Sequence, residues 1–374
     1  MGGHPTFAEI DLQALASNLK QVSACVGKRK IMGVVKANAY GHGAARVARH
    51  LEVFGVGMLG VAYLVEAVEL REAGINLPIL LLAGCQVEEI PDLLKHRLTP
   101  VVFDEAVLEA LGRHAVKENV RLPIHVKIDT GMGRIGVRGE GIVSFIEKAV
   151  QTPGIQVEGI LSHFAEADIE DRSFAVEQIR IMKEARDALL ERGIKIPYSH
   201  MANSAAVMEL PEAHFNLVRP GLMLYGYSPF EKRGPLSIRP ILRLLTRISA
   251  LKRVPEGTSI SYGRTFTTRR ESLIATLPIG YADGYPRSLS NRGEMIIRGK
   301  RVAVVGRVCM DMTMIDVTAV PDVSLGDRVT VIGEEGSVRI WADELARWAS
   351  TIPYEILCGI GRRVPRYYRG ETPG

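Results

Sequence analysis

The stretch that decides the fold is Ile31–Gly43, which reads IMGVVKANAYGHG. Its apolar start predicts a buried strand over Ile31–Lys36, and a helical pattern begins near Ala44 after small, flexible residues. Burial disfavours the charged form of a lysine, and a neutral amine can form a Schiff base with a carbonyl compound. Lys36 is therefore either a reactive amine or a strand-end lysine whose charged head reaches solvent, and composition alone favours the second.

Strand and helix alternate from this stretch onward. Helical patterns cover Glu66–Ala73, Asp104–Asn119, Gly141–Val150 and Arg172–Arg192. The predicted strands are Ile31–Lys36, Gly57–Leu64, Pro78–Ala83, Thr99–Phe103, Ile124–Asp129, Gln156–Phe164, Tyr198–Asn203 and Leu217–Tyr225. Such alternation predicts a parallel sheet covered by helices, and eight strands favour closure into an α/β TIM barrel. A doubly wound open sheet remains the alternative, because periodicity does not determine closure.

The pattern changes after Ile238. Long helical patterns are absent until Trp341–Ala349, and strand patterns separated by Gly, Pro and Asp turns replace them. We therefore predict a barrel domain over residues 1–238 and an all-β domain over residues 239–374. The predicted strands of the second domain are Ile241–Val254, Ser272–Pro278, Glu294–Ile297, Arg301–Val308, Thr313–Val317 and Arg328–Ile332. Near the N-terminus, Thr6–Leu12 predicts a strand that leads into a helix capped by Asp11.

Composition and charge argue against several classes of protein. The 374 residues are 47% hydrophobic and 24% charged, and the net charge of +5 comes from well interspersed residues, whereas a nucleic-acid-binding surface is usually clustered. No apolar run is long enough to span a membrane, and Met1–Glu9 lacks the pattern of a secretory signal. Four cysteines without paired spacing predict neither a metal site nor disulfides, so we expect a cytoplasmic protein.

The densest group of basic residues lies near the C-terminus. It consists of Arg362, Arg363, Arg366 and Arg369. We interpret this group as a solvated edge, with a role towards an anionic cofactor or a partner subunit as a weaker alternative.

Polar residues recur at the ends of the predicted strands, where a TIM barrel places its chemistry. They are Lys36, Asp129, Arg134, His163, Asn203, Ser204, Arg219, Gly221 and Tyr225. Ser204 is expected to cap the helix after the seventh strand and to donate to an anion, and Gly221 to let backbone approach closely. Arg219 lies among apolar residues and needs a partner, for which the sequence alone favours a neighbouring carboxylate.

Eight segments resemble those of one enzyme family, the alanine racemases. VVKANAYGHG at 34–43 is similar to the family's pyridoxal-phosphate attachment segment. The others are DTGMGR at 129–134, ANSAA at 202–206, VRPG at 218–221, SYGRTF at 261–266, GYADGYPR at 280–287, CMD at 309–311 and IPYEILCGIGRRVPRYY at 352–368. The resemblance covers almost the whole chain in order. It departs at Met312, where glutamine is expected, and at Gly133, where asparagine is frequent.

The resemblance implies that pyridoxal 5'-phosphate is the cofactor and is covalently attached to Lys36. The residues that it implies at the phosphate are Tyr40, Asn203, Ser204, Gly221 and Tyr354. Arg219 would face the pyridine nitrogen, and His163 would lie near the ring in a supporting role. Because an arginine stays protonated, the ring would be a weaker electron sink than one with an acidic partner, and side reactions such as transamination would be restricted.

The resemblance also implies two bases, one for each face of the planar intermediate through which racemisation passes. Lys36 would serve one face. Tyr262 would serve the other, and in this family it reaches the cofactor of the neighbouring subunit, so the active form would be a homodimer. Lys127 matches a lysine that is carbamylated in some members and helps to orient an arginine.

For the substrate, the resemblance implies a small pocket that binds a carboxylate. Arg134 and the backbone donor of Met310 would contact that carboxylate, and Asp311 belongs to the same segment. Tyr281 would narrow the entrance, which suits a methyl side chain.

We therefore predict a homodimeric alanine racemase that interconverts L-alanine and D-alanine and supplies D-alanine for peptidoglycan, without metal, nucleic acid or membrane. The nearest alternative is a broad-specificity or serine racemase on the same scaffold. A decarboxylase with a related barrel is less favoured, because its ring nitrogen would face an acidic residue where this chain has Arg219. A non-catalytic pyridoxal-phosphate-binding barrel protein is less favoured, because the SYGRTF and CMD segments are present.

Overall fold

The computed structural model describes residues 4–230 and 236–370. The first three residues of the N-terminal stretch considered above, and residues 371–374 of the predicted second domain, lie outside the described residues. The chain divides into two compact units. The barrel unit comprises Ala16–Ala39 and Ala44–Ile238, and the β unit comprises Met1–Leu15, Tyr40–Gly43 and Arg239–Gly374.

An eight-stranded parallel sheet forms the centre of the barrel unit. Its strands are Lys30–Val34, Met58–Val61, Ile79–Leu81, Thr99–Val102, Leu122–Lys127, Ile155–Leu161, Tyr198–His200 and Leu217–Val218. The first seven strands pair in chain order, and the eighth pairs with the first, with Val218 opposite Ile31. The seventh and eighth strands meet through a hydrogen bond from the Arg219 N–H to the Ala202 carbonyl (2.9 Å). The predicted TIM barrel is confirmed, and the open sheet is excluded.

Helices connect these strands as the sequence pattern predicts. The α-helices from the N-terminus to Ile238 are Leu12–Val26, Ala44–Val53, Leu64–Glu72, Ile90–Lys95, Glu105–Lys117, Gly141–Gln151, Ser173–Glu191 and Ser204–Glu209, besides the turn Lys36–Tyr40 described below. Buried apolar side chains from several strands, including Met32, Leu80 and Leu161, pack into one core cluster. That core holds the carboxyl ends of the strands in fixed positions.

All eight predicted barrel strands end later than the observed strands, and two of these differences bear on the site. The eighth strand stops at Val218 instead of Tyr225, and Leu222–Tyr225 is a 3-10 helix. Pro220 explains the early end, because proline has no N–H with which to continue a ladder. The first strand stops at Val34, so Lys36 lies in the turn beyond the strand.

The β unit is built from mostly antiparallel strands and two short helices, Ala342–Ala349 and Pro353–Cys358. The largest sheet contains Phe7–Asp11, Leu242–Arg247, Glu294–Ile297, Lys300–Ala303, Arg328–Glu335, Val338–Ile340 and Arg366–Arg369. A second sheet contains Ala250–Val254, Ser272–Leu277 and Thr313–Asp316, and Ser259–Ile260 pairs with Phe266–Thr267. The predicted strand Ile241–Val254 is therefore two strands in different sheets, and the predicted strand Arg301–Val308 ends early, at Ala303.

The assignment of the N-terminal strand to the barrel is wrong. Phe7–Asp11 pairs antiparallel with Leu242–Arg247 and parallel with Arg366–Arg369. Both partners lie far along the chain, so no local pattern indicates them. The predicted cap is confirmed, since Oδ1 of Asp11 accepts the N–H of Ala14 (2.8 Å).

Two features are absent from the described residues. No helix there combines the length and the apolar character that crossing a membrane requires. The same residues contain no cluster of three or more His, Cys, Asp or Glu side chains that could hold a metal ion.

Candidate active site

The turn that follows the first barrel strand has an unusual backbone. Ala37, Asn38, Ala39 and Tyr40 all have left-handed conformations with φ between 52° and 54°. For residues other than glycine this conformation costs roughly 1–2 kcal/mol each, so surrounding contacts must hold it. The sequence predicts only a flexible loop here, because the glycines that usually mark such a conformation are absent from these four positions.

Glu66 holds this turn and was missed from the sequence. Its Oε1 accepts the N–H of Ala37 (2.6 Å), and its Oε2 accepts the N–H groups of Ala62 (2.7 Å) and Tyr63 (3.2 Å). The available signal was a glutamate in the first turn of a helix, which often caps the helix start. One carboxylate thus ties the residue next to Lys36 to the loop after the second strand.

Arg219 is almost fully buried, with 5% of its surface exposed. Its Nη1 donates to Nδ1 of His200 (2.8 Å), and its Nη2 donates to the carbonyls of Ser162 (2.6 Å) and Met201 (3.2 Å) and to Nδ1 of His163 (3.3 Å). Burial lowers the pKa of Arg219 to about 9, so it remains a cation at neutral pH. The carboxylate partner favoured by sequence alone is wrong, since every hydrogen-bond acceptor of Arg219 in the described residues is neutral.

His163 lies within electrostatic range of four predicted site residues. Burial, followed by the positive charges of Arg219, Lys127, Arg134 and Lys36, holds the pKa of His163 well below its usual value. The imidazole is therefore neutral at physiological pH. Because its Nδ1 accepts from Arg219, its proton must lie on Nε2.

The fifth strand leads to Lys127 and then to a loop shaped by Asp129. Burial and the nearby arginines hold the pKa of Lys127 well below its usual value, and its amine has no hydrogen bond or ion pair with any described residue. The Asp129 carboxylate accepts the N–H groups of Gly131 and Gly133 (3.0 Å each). Gly133 has φ +70° with open space around it, which explains why glycine can replace asparagine, since both tolerate this conformation.

The helix after the seventh strand is capped by Asn203, and the expectation that Ser204 caps it is wrong. Oδ1 of Asn203 accepts the N–H of Ala206 (3.0 Å). The Ser204 hydroxyl instead accepts the N–H groups of Gly221 (3.1 Å) and Met223 (3.3 Å). A hydroxyl has two acceptor lone pairs and one donor proton, so both lone pairs are used and the proton remains available for an anion.

In the β unit, the structure brings together the two tyrosines, Tyr40 and Tyr354, that the resemblance implies at a phosphate. The ring centroids of Tyr40 and Tyr354 are 5.7 Å apart, and the rings are tilted by 45°. Tyr40 is buried, with 6% of its surface exposed. Two phenol groups at this spacing can donate to one anionic group.

Two predicted substrate loops of the β unit are joined backbone to backbone. The N–H groups of Tyr281 and Ala282 donate to the carbonyls of Cys309 (3.1 Å) and Met310 (3.0 Å). A side chain at Gly280 would approach these same two oxygens to 2.3 Å, so only glycine fits there. The N–H of Met310 has no partner among the described residues and remains available as a donor.

Arg363 ties the same two loops together through carboxylates. Its Nε and Nη2 donate to the fully buried Asp283 (2.7 and 3.1 Å), and Nη2 also donates to Asp311 (2.7 Å). Arg366 donates to four backbone carbonyls, including that of Gly41 (3.2 Å). The interpretation of the C-terminal arginines as a solvated edge is therefore wrong for Arg366, whereas Arg363 is exposed and also paired with carboxylates. Asp311 is already paired with a cation of its own unit.

Tyr262 opens a short 3-10 turn and is exposed over 71% of its surface. The turn is fixed by the Ser261 hydroxyl, which donates to the Arg307 carbonyl (2.6 Å). Met310 and Met312 are also about half exposed on the same unit.

Comparisons with known proteins match almost the whole chain. The family model "Alanine racemase, N-terminal domain" matches residues 10–229, and "Alanine racemase, C-terminal domain" matches residues 241–368. The chain is 48% identical to an alanine racemase of Halothermothrix orenii, over 99% of this chain and 98% of that protein.

Two solved structures show the same architecture. One is an alanine racemase of Clostridium difficile 630 in complex with cycloserine (TM-score 0.92, 38% identity, covering 98% of this chain and 96% of the other). The second is an alanine racemase of Bartonella henselae with covalently bound pyridoxal phosphate (TM-score 0.88, 29% identity, covering 98% and 99%).

Proposed function

The chain belongs to the alanine racemase family and is an isomerase that interconverts L-alanine and D-alanine; we propose that it does so with pyridoxal 5'-phosphate and two protein bases. The observation that carries the proposal is the buried Arg219 cation, whose protein partners are all neutral. A cation of this kind suits a ligand that brings an electron pair or a negative charge.

The donor groups of Arg219 fit the pyridine nitrogen of this cofactor. A guanidinium has five N–H donors, and the hydrogen bonds of Arg219 to described residues involve only Nη1 and Nη2. The Nε–H is therefore available to the ring nitrogen. When bound, the cofactor supplies a carbonyl group for the amine of the substrate and a ring that withdraws electrons. The absence of a carboxylate at Arg219 also argues against the decarboxylase alternative.

For the phosphate, we propose donors from three hydroxyl-bearing side chains. The Ser204 hydroxyl proton is available because two backbone N–H groups occupy its lone pairs, and Asn203 and Gly221 fix its position. The phenols of Tyr40 and Tyr354 would supply further donors, which their spacing supports.

We propose that Lys36 and Tyr262 exchange the Cα proton, one on each face of the substrate. The left-handed turn and Glu66 fix the backbone from which Lys36 projects. The neutral His163 carries its proton on Nε2 and can donate it to the phenol oxygen of Tyr262, while Arg219 supplies the positive charge behind it. A donor and a cation placed in this way would stabilise the negative charge on the phenol oxygen during proton transfer.

The second base would come from a second copy of this chain. Tyr262 is largely exposed, and a side chain directed to solvent on one subunit is well placed to serve another. We therefore propose a homodimer whose two sites are both shared, and we expect loss of activity when the subunits separate.

Arg134 and the N–H of Met310 would bind the substrate carboxylate, and Tyr281 would limit the size of the side chain. Arg134 has no hydrogen bond or ion pair with any described residue, and the same is true of the Met310 N–H. Asp311, paired with Arg363, would position this loop. A broad-specificity or serine racemase would use the same residues, so a screen of several amino acids for loss of optical rotation distinguishes the alternatives.

We further propose that Lys127 is carbamylated. In that reaction the neutral amine nitrogen bonds to the carbon of CO2 and releases a proton, which leaves a carbamate anion. The low pKa of Lys127 and the nearby charges of Arg219 and Arg134 support this, because the anion would pair with a cation. A carbamate signal in 13C NMR of enzyme equilibrated with labelled bicarbonate, lost in Lys127→Met, tests the proposal.

The main experiment combines isotope exchange with chemical trapping. Incubation with L-alanine in heavy water should give Cα-deuterated D-alanine, and borohydride reduction followed by peptide mapping should place the reduced cofactor on Lys36. An adduct on another lysine would overturn the site assignment, and bound cofactor without exchange would favour a non-catalytic binding protein. A cytoplasmic enzyme that supplies D-alanine for peptidoglycan is the physiological role that we propose with this activity.

A further inference from the structure

Behind Arg219, two buried histidines form a chain of hydrogen bonds that the proposed reaction does not use. Arg219 donates to Nδ1 of His200 (2.8 Å), and Nε2 of His200 lies 2.7 Å from Nδ1 of His125. Both histidines are fully buried. The Nε2 atom of His125 is buried and has no partner among the described residues, so the chain ends there.

The direction of every hydrogen bond in this chain is fixed by Arg219. A guanidinium can only donate, so Nδ1 of His200 must accept, and a neutral His200 must carry its proton on Nε2. That proton is donated to Nδ1 of His125. His125 in turn must carry its own proton on Nε2.

Both imidazoles are held neutral, as this reasoning requires. Burial, followed by the charge of Arg219, lowers the pKa of His125 to about 3. Burial, followed by the charge of Arg219, holds the pKa of His200 well below its usual value. No carboxylate contributes to either shift, so neither histidine has a counter-ion that would favour its charged form.

The backbone of the neighbouring strand makes room for the accepting atom of His125. Gly159 lies opposite His125 in the parallel ladder. A Cβ at Gly159 would approach Nδ1 of His125 to 2.4 Å, so a side chain there would displace the imidazole. Glycine in a strand interior weakens the strand. Here it lies beside Nδ1 of His125, which is the atom that accepts the hydrogen bond from His200.

We propose that His125 is a positioning residue: it accepts from His200, fixes the orientation of that ring, and thereby holds the Arg219 guanidinium in place. The inference rests on the proposed contact of Arg219 with the cofactor. Without the acceptor at His125, the Nε2–H of His200 would be buried and unpaired, which favours rotation or repacking of the ring. Arg219 would then lose a partner that restricts its position.

The first test compares His125→Asn with His125→Leu in the holoenzyme. Asparagine places Oδ1 at the same point along the side chain as Nδ1 of histidine, whereas leucine has no acceptor. We expect kcat to fall about tenfold in the leucine variant with KM little changed, and the asparagine variant to recover most of this loss. The cofactor absorption band should shift in the leucine variant only. Equal losses in both variants, or a leucine variant with unchanged kcat and spectrum, would overturn the proposal.

A second measurement needs neither a variant nor the cofactor. 15N NMR of apoprotein labelled only in histidine should show His200 and His125 as neutral Nε2–H tautomers down to about pH 5. An Nδ1–H tautomer at His200, or an imidazolium at either residue, would overturn the proposal. Because the apoprotein reports the chain of hydrogen bonds directly, its failure is distinguishable from a failure of the proposed function, which would appear as no reduced adduct on Lys36.

Discussion

Two arginines of the chain, Arg219 and Arg363, have opposite electrostatic surroundings. In the barrel unit, Arg219 is buried among two imidazoles and two backbone carbonyls, and all of these acceptors are neutral. In the β unit, Arg363 is paired with the carboxylates of Asp283 and Asp311. A cation that is paired with the protein's own carboxylates, such as Arg363, stabilises the fold. A buried cation that the protein leaves uncompensated is suited to a ligand.

The largest effect that we expect from this contrast is on turnover. Replacement of Arg219 by methionine removes a preorganised donor from the proposed site, and such donors are worth about 10²–10³-fold in kcat. Steady-state kinetics and cofactor titration measure the loss, with Arg219→Lys as the control that keeps charge but changes geometry. If kcat of the methionine variant stayed within a few-fold of wild type, Arg219 would not have the role towards the cofactor that distinguishes it from Arg363.

The second effect concerns the β unit and should appear as lost stability. Asp283 is fully buried, accepts the Gly280 N–H (2.8 Å) and pairs with Arg363. Asp283→Ala should therefore lower the free energy of unfolding by about 2 kcal/mol, measured by urea denaturation of the apoprotein. Asp283→Asn, which keeps the shape, is the control. If the alanine variant had the same free energy of unfolding as the wild type, the ion pair between Asp283 and Arg363 would not hold the loops of Gly280 and Asp311 together.

The sequence predicted much of the barrel and little of these electrostatics. Most of the eight strands are local apolar runs between helices, so the alternation of strand and helix patterns located all of them. The strand Phe7–Asp11 pairs with segments more than two hundred residues away, and no local signal predicts such pairing. The choice between a neutral and a charged partner for Arg219 likewise depends on strands brought together only by folding.

The proposed chemistry was predicted through resemblance, and the contacts that support it were missed. Glu66 and His125 belong to none of the quoted segments, and each acts through backbone or ring geometry that a pattern of residue types does not encode. Ser204 illustrates the same limit. Its role depends on Gly221 and Met223, which approach it from the turn after the eighth strand.

The third prediction sharpens the comparison through pH. The pKa values of His125, His163 and His200 are depressed in the folded chain, while in the unfolded chain a histidine titrates near ~6.5. Above that pH the three histidines are neutral in both the folded and the unfolded chain, so their titration does not change the free energy of unfolding. As pH falls below it, the unfolded chain binds protons that the folded chain does not, so stability should fall by up to about 1.4 kcal/mol per pH unit for each histidine.

Urea denaturation of the apoprotein between about pH 6.5 and about pH 5 measures this slope. In His125→Asn the slope of unfolding free energy against pH should be smaller by about 1.4 kcal/mol per pH unit, which corresponds to one proton. The reason is that the variant removes one of the histidines whose pKa the fold lowers. An identical slope in both proteins would show that His125 is not held neutral by the fold.

The smallest effect is expected at Gly133, in the loop that carries Arg134. Gly133 has a φ of +70°, which asparagine tolerates, and a Cβ at this position would have no close neighbour among the described residues. Gly133→Asn should change the unfolding free energy by less than about 1 kcal/mol and leave KM for alanine nearly unaltered. Gly133→Val, which is strained at positive φ, is the matched control. A large rise in KM for the asparagine variant would show that glycine has a direct role at the substrate.

The most direct test of the two-base arrangement uses mixed dimers of two inactive variants. Lys36→Ala and Tyr262→Phe should each be inactive alone. A dimer with one subunit of each kind has one site with both native bases if Tyr262 acts on the partner's substrate, so random mixing should restore about a quarter of wild-type activity. Complete absence of recovery, in a mixture shown by mass spectrometry to contain mixed dimers, would contradict the shared site and the role of Tyr262 as the second base.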